Sequence, residues 1–285
     1  IPYFKNYDLV HAHIFPGSYF AAAAKMFSGS ITPLVFTEHN SQNRRAVHPV
    51  FKYIEKAVYR QFSKVICLTD QVEDFVLKNL KVDPDKLLVI ENGIDLDGVK
   101  NAVPYNKTVF HCQPSDRLVL MAARMEAQKD QDTLIRAMAN LPESFKLLLA
   151  GEGSRKQLLM NLCSEMGVAN RVQFLGNRKD IFRILKTVDY IVLSSHFEGL
   201  SLAALEALAS GKPFIASDVE GLDFIKGSGL LFTENNSKEL SDIILNLDNN
   251  YDFYSETAKA CQLKAEEYNI EKMVKKYIEA YKNVL

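Results

Sequence analysis

Two carboxylates that lie eight positions apart, Glu198 and Glu206, flank the start of a predicted helix and could do chemistry together. Between them stand Gly199 and Ser201, two residue types that favour a helix N-terminus. The first N–H groups of a helix have no partner within it, and the helix dipole favours an anion there. The backbone can therefore bind a phosphate while a carboxylate further along accepts hydrogen bonds from hydroxyl groups. This combination fits a sugar nucleotide better than a free phosphate.

A pair of cations, Arg124 and Lys129, is the second candidate group. Arg124 follows a predicted strand, 118–122, and lies at its carboxyl end, where open α/β sheets bind their ligands. Lys129 precedes a helix that begins near Gln131. Together the two cations can neutralise a diphosphate, the arginine through its bidentate fork and the lysine as a point charge. The alternative is a solvated pair at a strand end.

Two further loops also follow predicted strands. The turn Gly151-Glu152-Gly153 allows a ligand to approach the backbone closely, although an ordinary tight turn is the alternative. It is not a G-x-G-x-x-G motif, so a nicotinamide dinucleotide is not indicated. In the second loop, FLGNRKDI, backbone groups around Asn177 and Arg178 can contact the edge of a nucleobase. The alternative there is a plain capped loop with Asp180 in the first helical turn.

Glu206 is predicted on or beside the apolar face of its helix. A carboxylate packed this close to a sheet is costly unless it accepts hydrogen bonds, and the two hydroxyls of a ribose would supply them. An exposed glutamate on the helix surface is the alternative. Glu198 has two corresponding interpretations, as a ligand contact or as a simple cap before the helix.

The histidines are weighed separately. His11 and His13 share a predicted strand and point the same way, which allows a metal site, but no third ligand is evident. Two Asp-x-Asp patterns, at 83–85 and 95–97, are predicted as a turn and as the start of a linker. We therefore predict no metal. His39 follows a strand and is the best candidate for a polar contact with a reacting sugar, a structural or exposed histidine being the alternative.

Apolar runs of strand length alternate with helical patterns almost throughout, and most of the runs are continuous, as in parallel strands covered on both faces. The predicted strands are 9–14, 33–37, 64–69, 87–91, 118–122, 146–150, 172–174, 190–194, 213–216 and 229–232. The predicted helices include 49–62, 71–80, 131–141, 154–166 and 201–209. The alternation predicts an α/β protein with doubly wound parallel sheets.

Composition limits the classes of protein to which the chain can belong. The chain has 285 residues, 47% apolar and 24% charged, which is typical of a globular protein with room for two domains. A net charge of −1 gives no general basic surface for nucleic acid. The four cysteines are widely spaced and indicate reduced thiols in the cytoplasm. No apolar run reaches the roughly 18 residues of a membrane helix, and no signal peptide is recognised.

The strand–helix alternation breaks once and so predicts two domains. Residues 1–96 form the first domain, 97–115 a polar linker with two prolines, and 116–265 the second domain. Residues 266–285 include an amphipathic helix whose apolar face must pack on something. Because the chain opens on Ile1 with a strand close behind, we expect that the N-terminus is missing and that the first domain is incomplete, by roughly 60–80 residues of a full doubly wound domain.

These residues together resemble the family 4 retaining glycosyltransferases of GT-B fold. The most specific match is the Glu-x7-Glu block, FEGLSLAALEALASGKPFIASD. Further matches are the Arg124 and Lys129 pair, the GEG turn, FLGNRKDI, the ENGID sequence at 91–95 and the C-terminal helix, which in that fold crosses back to the first domain. The resemblance covers nearly the whole chain.

The resemblance implies two Rossmann-like domains, the second binding a nucleotide-sugar donor and the first an acceptor. By position, Arg124 and Lys129 would hold the diphosphate together with the N–H groups of Leu200 and Ser201, and Glu206 would accept from the ribose. The full predicted donor-binding set is Arg124, Lys129, Gly151, Asn177, Arg178, Glu198, Gly199, Leu200, Ser201 and Glu206.

The resemblance implies a metal-independent retaining hexosyltransferase. Such an enzyme uses no cofactor, and a UDP-sugar is favoured over a GDP-sugar as its donor. Glu198 would contact the donor sugar, and His39 would lie near the sugar and the acceptor. The predicted catalytic residues are Glu198, His39, Arg124 and Lys129. The Gly-rich loop with which the family begins is not found before Asp8. A catalytically impaired nucleotide-sugar-binding fragment is therefore kept as an alternative. A GT-B epimerase is a further alternative, because the fold alone does not exclude it.

The implied acceptor is a saccharide or a lipid-linked saccharide, in the synthesis of cell-surface polysaccharide or glycolipid. The predicted location is the cytoplasm, with a peripheral contact at the inner face of the membrane. Arg44 and Arg45, with Phe51 and Tyr53 nearby, are the residues suited to such a contact. A solvated helix face is the alternative.

Overall fold

A computed structural model describes residues 4–39 and 43–285, without the side chains of Lys5 and Arg44. The strands are β1 (Val10–His13), β2 (Leu34–Glu38), β3 (Lys64–Cys67), β4 (Leu87–Val89), β5 (Arg117–Ala122), β6 (Phe145–Ala150), β7 (Val172–Gly176), β8 (Tyr190–Leu193), β9 (Phe214–Ser217) and β10 (Leu230–Phe232). The helices are α1 (Gly17–Ser28), α2 (Arg44–Val47), α3 (Phe51–Tyr59), α4 (Asp70–Leu80), α5 (Leu96–Asn101), α6 (Gln131–Ala139), α7 (Lys156–Glu165), α8 (Ile181–Thr187), α9 (Leu202–Ala209), α10 (Ser237–Asn249), α11 (Tyr251–Ala265) and α12 (Ile270–Lys282). Each strand falls on a predicted apolar run, and the α/β class is confirmed.

The first compact unit combines the residues up to Gly93 with Ile270–Leu285. Its sheet has the order β1-β2-β3-β4, and every pair is parallel. Leu34 and Phe36 belong to one core cluster and Val35 to another, because successive side chains of a strand face opposite sides of the sheet. Both faces are therefore covered, which is why β2 is an unbroken apolar run.

The helix α12 covers one of these faces. Ala280 is buried there with Val35 and Ile66, and Tyr277 and Tyr281 pack at the edge of the same cluster. The apolar residues of α12 recur at helical spacing, so they form one stripe that can lie on the sheet. The structure thus gives the last helix of the chain to the first unit.

The second compact unit is Ile94–Asn269. Its sheet has the order β10-β9-β8-β5-β6-β7, again with parallel pairs throughout. The direction of winding reverses between β5 and β8. In such sheets the connections on the two sides of the reversal diverge and leave a crevice at the carboxyl ends of the strands. The loops after β5 and β8 are therefore the ones placed to form a site.

The predicted linker differs from what the structure shows. Residues 97–115 do not join two domains as a free segment; they include most of α5 and belong to the second unit. Val99, Phe110 and Cys112 are buried in its core, and Lys107 Nζ lies 2.7 Å from Asp189 Oδ2. A few widely spaced apolar residues anchor this polar segment, and such spacing shows no periodicity in the sequence.

The four cysteines are free and buried. Burial raises the pKa of the Cys67 thiol to about 12 and those of Cys163 and Cys261 to about 11. These thiols are therefore poor nucleophiles at neutral pH. Within residues 4–39 and 43–285, no helix has both the length and the apolar character needed to cross a membrane.

Candidate functional site

A buried ion pair lies at the reversal of the second sheet. Lys129, from the loop after β5, places its Nζ 2.6 Å from Glu198 Oε1 and 2.7 Å from Oε2. Glu198 comes from the loop after β8, and the two side chains are 14% and 5% exposed. The Ser195 hydroxyl also donates to Glu198 Oε1, at 2.6 Å. Two predicted residues that are 69 positions apart are thus brought into direct contact.

Backbone contacts hold the two loops together. The Ser194 hydroxyl donates to the Asp130 carbonyl at 2.6 Å, and the His196 N–H donates to the Gln128 carbonyl at 2.8 Å. Gln128 Nε2 donates in return to the Phe197 carbonyl at 2.8 Å. The positions of Lys129 and Glu198 are therefore fixed by neighbours on both sides and not by their own attraction alone.

Gly221 packs directly against the backbone of Glu198. Its φ of +84° is one that L side chains rarely adopt, and an added Cβ would lie 2.1 Å from the Glu198 carbonyl oxygen. The Glu198 N–H donates to the Glu220 carbonyl at 3.0 Å. A glycine is therefore required at 221 if the chain is to pass this close to the loop that carries Glu198.

The helix α9 begins directly after this loop. Ser201 is its N-cap in an extended conformation, and the Ser201 side chain makes no capping hydrogen bond. Gly199 and Ser201 are half-buried, whereas the Leu200 side chain is buried. The apolar residues of α9 pack into the core and fix its axis, so the positive end of the helix dipole lies next to the Lys129 and Glu198 pair.

Glu206 lies on the second turn of α9 and is half-buried. Among the described residues its carboxyl group has no hydrogen-bond or ion-pair partner. Burial raises the pKa of Glu206 to about 7, because desolvation penalises its charged form. A carboxylate in this state gains by accepting hydrogen bonds from a ligand.

Arg124 is exposed at the carboxyl end of β5. Its carbonyl accepts from Gln131 Nε2 at 2.9 Å, while its guanidinium makes no ion pair with any described residue. Its charge is therefore available to an anion. The neighbouring loops carry their own charged pairs, such as Arg155 with Asp132 at 2.9 Å.

The Gly151 turn packs against the loop that follows β5. Gly151 has a φ of +138°, and an added Cβ would lie 2.1 Å from the Ala123 carbonyl oxygen. A Cβ added at Gly153 would lie 2.3 Å from the Met125 carbonyl oxygen. At both glycines the nearest atoms belong to the protein's own backbone. This close packing explains why glycine occupies both positions. A contact of Gly151 with the donor stays a prediction.

Arg178 and Asn177 lie in the loop after β7 and are exposed. The Arg178 guanidinium is engaged with Asp180 in a bidentate pair at 2.8 and 2.6 Å, and the Tyr105 hydroxyl donates to the same carboxylate at 2.6 Å. These hydrogen bonds hold the pKa of Asp180 well below its usual range. The side chain of Arg178 thus stabilises its own loop, and a contact of Asn177 and Arg178 with a nucleobase stays a prediction.

His39 lies in the first unit, just after β2, and is exposed. Its Nε2 is 3.2 Å from His13 Nδ1. His13 was considered in the sequence only as part of a metal pair with His11, and its contact with His39 was missed. The structural feature that creates this contact is the parallel pairing of β1 with β2, which sets His13 opposite Thr37. No group of residues suited to a metal ion is found in the described part of the chain.

The residues suggested for membrane contact lie in different surroundings. Arg45 Nε is 2.7 Å from the buried Glu55 carboxylate, and its guanidinium lies 4.1 Å from the Phe15 ring centroid. Its charge is therefore already compensated. Phe51 and Tyr53 are exposed. The side chain of Arg44 lies outside the described residues.

Two family models match the chain. Residues 109–268 match "Glycosyl transferases group 1", and residues 3–97 match "Glycosyltransferase Family 4". A relative from Escherichia coli, UDP-Gal:alpha-D-GlcNAc-diphosphoundecaprenol alpha-1,3-galactosyltransferase, is 30% identical over 76% of the chain and 59% of its own length. D-inositol 3-phosphate glycosyltransferase of Mycobacterium marinum is 29% identical over 76% of the chain and 50% of its own length. The chain thus spans between half and three fifths of these relatives.

Solved structures share the fold. HepE from Anabaena in complex with UDP-glucose superposes with a TM-score of 0.86 at 22% identity, covering 98% of the chain and 79% of HepE. A glycosyltransferase from Rickettsia africae gives a TM-score of 0.83 at 22% identity over 98% of the chain and 77% of its own length. This similarity confirms the predicted fold class, α/β with two parallel Rossmann-like sheets of the GT-B type.

Proposed function

Because the chain belongs to the group 1 glycosyl transferases, we propose that it moves a sugar from a nucleoside diphosphate sugar to an acceptor hydroxyl. The single observation that supports this most is the contact of Lys129 with Glu198 at the reversal of the second sheet. This edge is where open α/β sheets bind ligands, and the pair stands beside the N-terminus of α9. A cation, a carboxylate and a helix dipole therefore converge on one crevice.

The donor diphosphate binds this crevice. An ammonium has three N–H donors, and the two oxygens of Glu198 engage two of them, which leaves one for a phosphate oxygen. The N-terminus of α9, including Leu200 and Ser201, supplies backbone donors, and the unpaired guanidinium of Arg124 adds a second positive charge. Glu198, held between Lys129 and Ser195, is placed to accept from hydroxyls of the donor sugar.

The nucleoside extends along α9. Glu206 has no partner among the described residues, and a ribose diol would satisfy it with two hydrogen bonds. The backbone near Asn177 and Arg178 contacts the base. A UDP-sugar is the proposed donor, since the E. coli relative is named for UDP-galactose and HepE was solved with UDP-glucose.

The transfer step forms a bond between the acceptor oxygen and the anomeric carbon while the bond to the diphosphate breaks. Negative charge grows on the leaving phosphate, where Arg124, Lys129 and the helix dipole stabilise it without a metal. By the family resemblance, attack comes from the same face with retained configuration, and the acceptor proton passes to a phosphate oxygen. The proposed catalytic residues are Glu198, His39, Arg124 and Lys129.

The acceptor is proposed as a saccharide or a lipid-linked saccharide, as the diphosphoundecaprenol in the E. coli relative's name suggests. A place in the cytoplasm at the inner face of the membrane follows from such a substrate. Exposed Phe51 and Tyr53, beside Lys52, fit a peripheral contact there.

A donor screen tests the proposal. The melting temperature of the protein is measured with UDP-, GDP- and ADP-glucose and with galactose equivalents, since a donor at a hundred times its Kd adds about 2.7 kcal/mol of stability. The donor that stabilises is then incubated alone, and NMR follows the release of nucleoside diphosphate and the anomer of the freed sugar. An initial α-anomer from an α-donor supports retention, and the β-anomer contradicts it.

Two alternatives give different outcomes in the same screen. A protein that binds the donor and releases no product with any saccharide or lipid-linked acceptor is an impaired binding fragment. Release of an epimerised sugar indicates an epimerase. The absence of any stabilisation by a nucleotide sugar would contradict the proposed donor site itself.

A further inference from the structure

A row of hydrogen-bonded side chains joins α12 to β1 and β2 within the first unit. The Tyr281 hydroxyl is 2.7 Å from His11 Nδ1, and His11 Nε2 is 2.8 Å from Thr37 Oγ1. Thr37 Oγ1 is in turn 3.3 Å from the Tyr277 hydroxyl. Both nitrogens of His11 are thus engaged, so its ring cannot turn over without losing two contacts.

The row continues to the histidine that the proposed function uses. His11 and His13 lie on the same face of β1, and their ring centroids are 4.1 Å apart with an interplanar angle of 31°. His13 Nδ1 is 3.2 Å from His39 Nε2. An uninterrupted set of contacts therefore runs from Tyr281 through His11 and His13 to His39.

The contact between His13 and His39 determines what the pair offers to a ligand. A neutral imidazole has one donor and one acceptor nitrogen. Whichever ring donates across the shared hydrogen bond, one of the two outer nitrogens, His13 Nε2 or His39 Nδ1, carries a proton and the other accepts. The pair therefore always presents one donor and one acceptor nitrogen. A sugar hydroxyl can accept from the first and donate to the second.

Burial disfavours the charged forms of all three rings. Burial, followed by the neighbouring His13 and His39, lowers the pKa of His11 to about 4, and burial also lowers the pKa values of His13 and His39. Among the described residues, the titratable groups that face His11 are these two histidines and the hydroxyls of Tyr277 and Tyr281. A fixed neutral His11 gives the next ring a constant surface to stack on.

We propose that Tyr281, acting through His11, is a positioning residue that fixes the orientation of the His13 ring and, through it, of the His13 and His39 pair. The importance of that pair for sugar transfer rests on the proposed function. The arrangement itself does not, since it belongs to the protein without substrate. Tyr281 contributes from α12, which shares the first unit with β1 and β2 although it lies about 270 residues away in the sequence.

The first test is NMR of the full-length protein labelled with ¹⁵N and ¹³C at histidine. We expect Tyr281→Phe to shift the ring nitrogen signals of His13 and His39 as well as those of His11, because the His11 ring loses one of its two hydrogen bonds. The control is Tyr254→Phe, which removes a hydroxyl bonded to the Asp189 carbonyl in the second unit. If His13 and His39 keep their nitrogen shifts in Tyr281→Phe, the proposal is wrong.

The second test is kinetic and uses the same variants with the donor found active. Loss of one hydrogen bond of ordinary strength should lower kcat by about three- to tenfold, with the donor KM within about twofold of the original. A merely structural role would instead lower the melting temperature and leave kcat unchanged, which would overturn the proposal. If the parent protein transfers no sugar, the proposed function fails while the NMR result still decides the role of Tyr281.

Discussion

Lys129 and Glu198 neutralise one another at a nearly dry position. Removing two charges from water is costly, and their attraction repays this only with good geometry and further hydrogen bonds. The two short contacts and the Ser195 hydroxyl provide both. The sequence predicted these two residues from their places at strand ends, and their contact follows from strand order, which no local pattern reveals.

Lys129→Ala should lower kcat by about two to three orders of magnitude, the effect of one charge contact in a transition state. It should also destabilise the protein by about 3–5 kcal/mol, because Glu198 would be left buried without its partner. Steady-state kinetics and urea unfolding measure the two effects. The control is Lys156→Ala, which breaks an exposed ion pair with Glu152 and should cost less than about 1 kcal/mol. Equal stability losses in the two variants would show that the Lys129 pair is not buried in solution.

Glu206 should make the donor-free protein less stable as the pH rises. The folded pKa of about 7 lies above the usual value of about 4.3 in an unfolded chain, so the folded state holds the proton more tightly. The free energy of unfolding should therefore fall between pH about 4.3 and 7, by on the order of 2 kcal/mol relative to Glu206→Gln. Denaturant unfolding of both proteins across this range measures the difference. A constant difference would mean that Glu206 is well solvated.

The same residue should make donor affinity depend on pH. Ribose hydroxyls donate to the charged carboxylate and not to both oxygens of its protonated form, so affinity for UDP-glucose should rise as the pH increases through about 7. Isothermal titration at pH 6 and pH 8 should show this in the parent protein and little change in Glu206→Gln. An equal pH dependence in both would assign the effect to another group.

At the scale of elements, loops that follow different strands form the site. β5 and β8 become neighbours only in the folded sheet, and the loops behind them then exchange backbone hydrogen bonds. The helix α9 adds its N-terminus because its apolar residues pack into the core and fix its direction. Apolar run lengths predicted all ten strands, and helical patterns predicted α3, α4, α6, α7, α9 and α12, since those signals are local. The order of strands depends on contacts between distant segments and was not predicted.

Gly221 offers a test of how these loops are supported. Gly221→Ala should destabilise the protein and weaken donor binding, because its Cβ would collide with the Glu198 carbonyl 2.1 Å away. The matched control is Gly227→Ala, which has nearly the same φ, +81°, and no atom within 4 Å of the added Cβ. That control should lose only about 1–2 kcal/mol of stability, which is the conformational cost of a positive φ for alanine. Thermal unfolding and UDP titration compare them, and equal losses in the two variants would contradict a steric role.

At the scale of the whole molecule, the chain forms two units, each with a parallel sheet and core of its own. The boundary between them falls at Gly93 and Ile94, close to the predicted end of the first domain at 96. The return of α12 to the first unit means that this unit is made from both ends of the described chain. Its stability therefore depends on residues that are far apart in sequence.

Ala280→Glu should destabilise the first unit selectively. Ala280 is 2% exposed against the first sheet, and a charge buried there without a partner costs roughly 3 kcal/mol or more. Hydrogen exchange should show lost protection in β1–β4 with little change in β5–β10. The control is Lys276→Glu, which places the same charge on the exposed side of α12. Uniform loss of protection in both units would mean that they unfold as one.

The sequence by itself determined the strands, the α/β class and the types of residue at the site, because the period of apolar residues and the turn residues act over a few positions. The tertiary structure was needed to show that Lys129 contacts Glu198, that His39 contacts His13, that Glu206 has no partner among the described residues and that residues 97–115 are packed. These facts depend on strand order and on the packing of distant segments. A local pattern records which face of a strand is buried, and it carries no information about the neighbour that buries it.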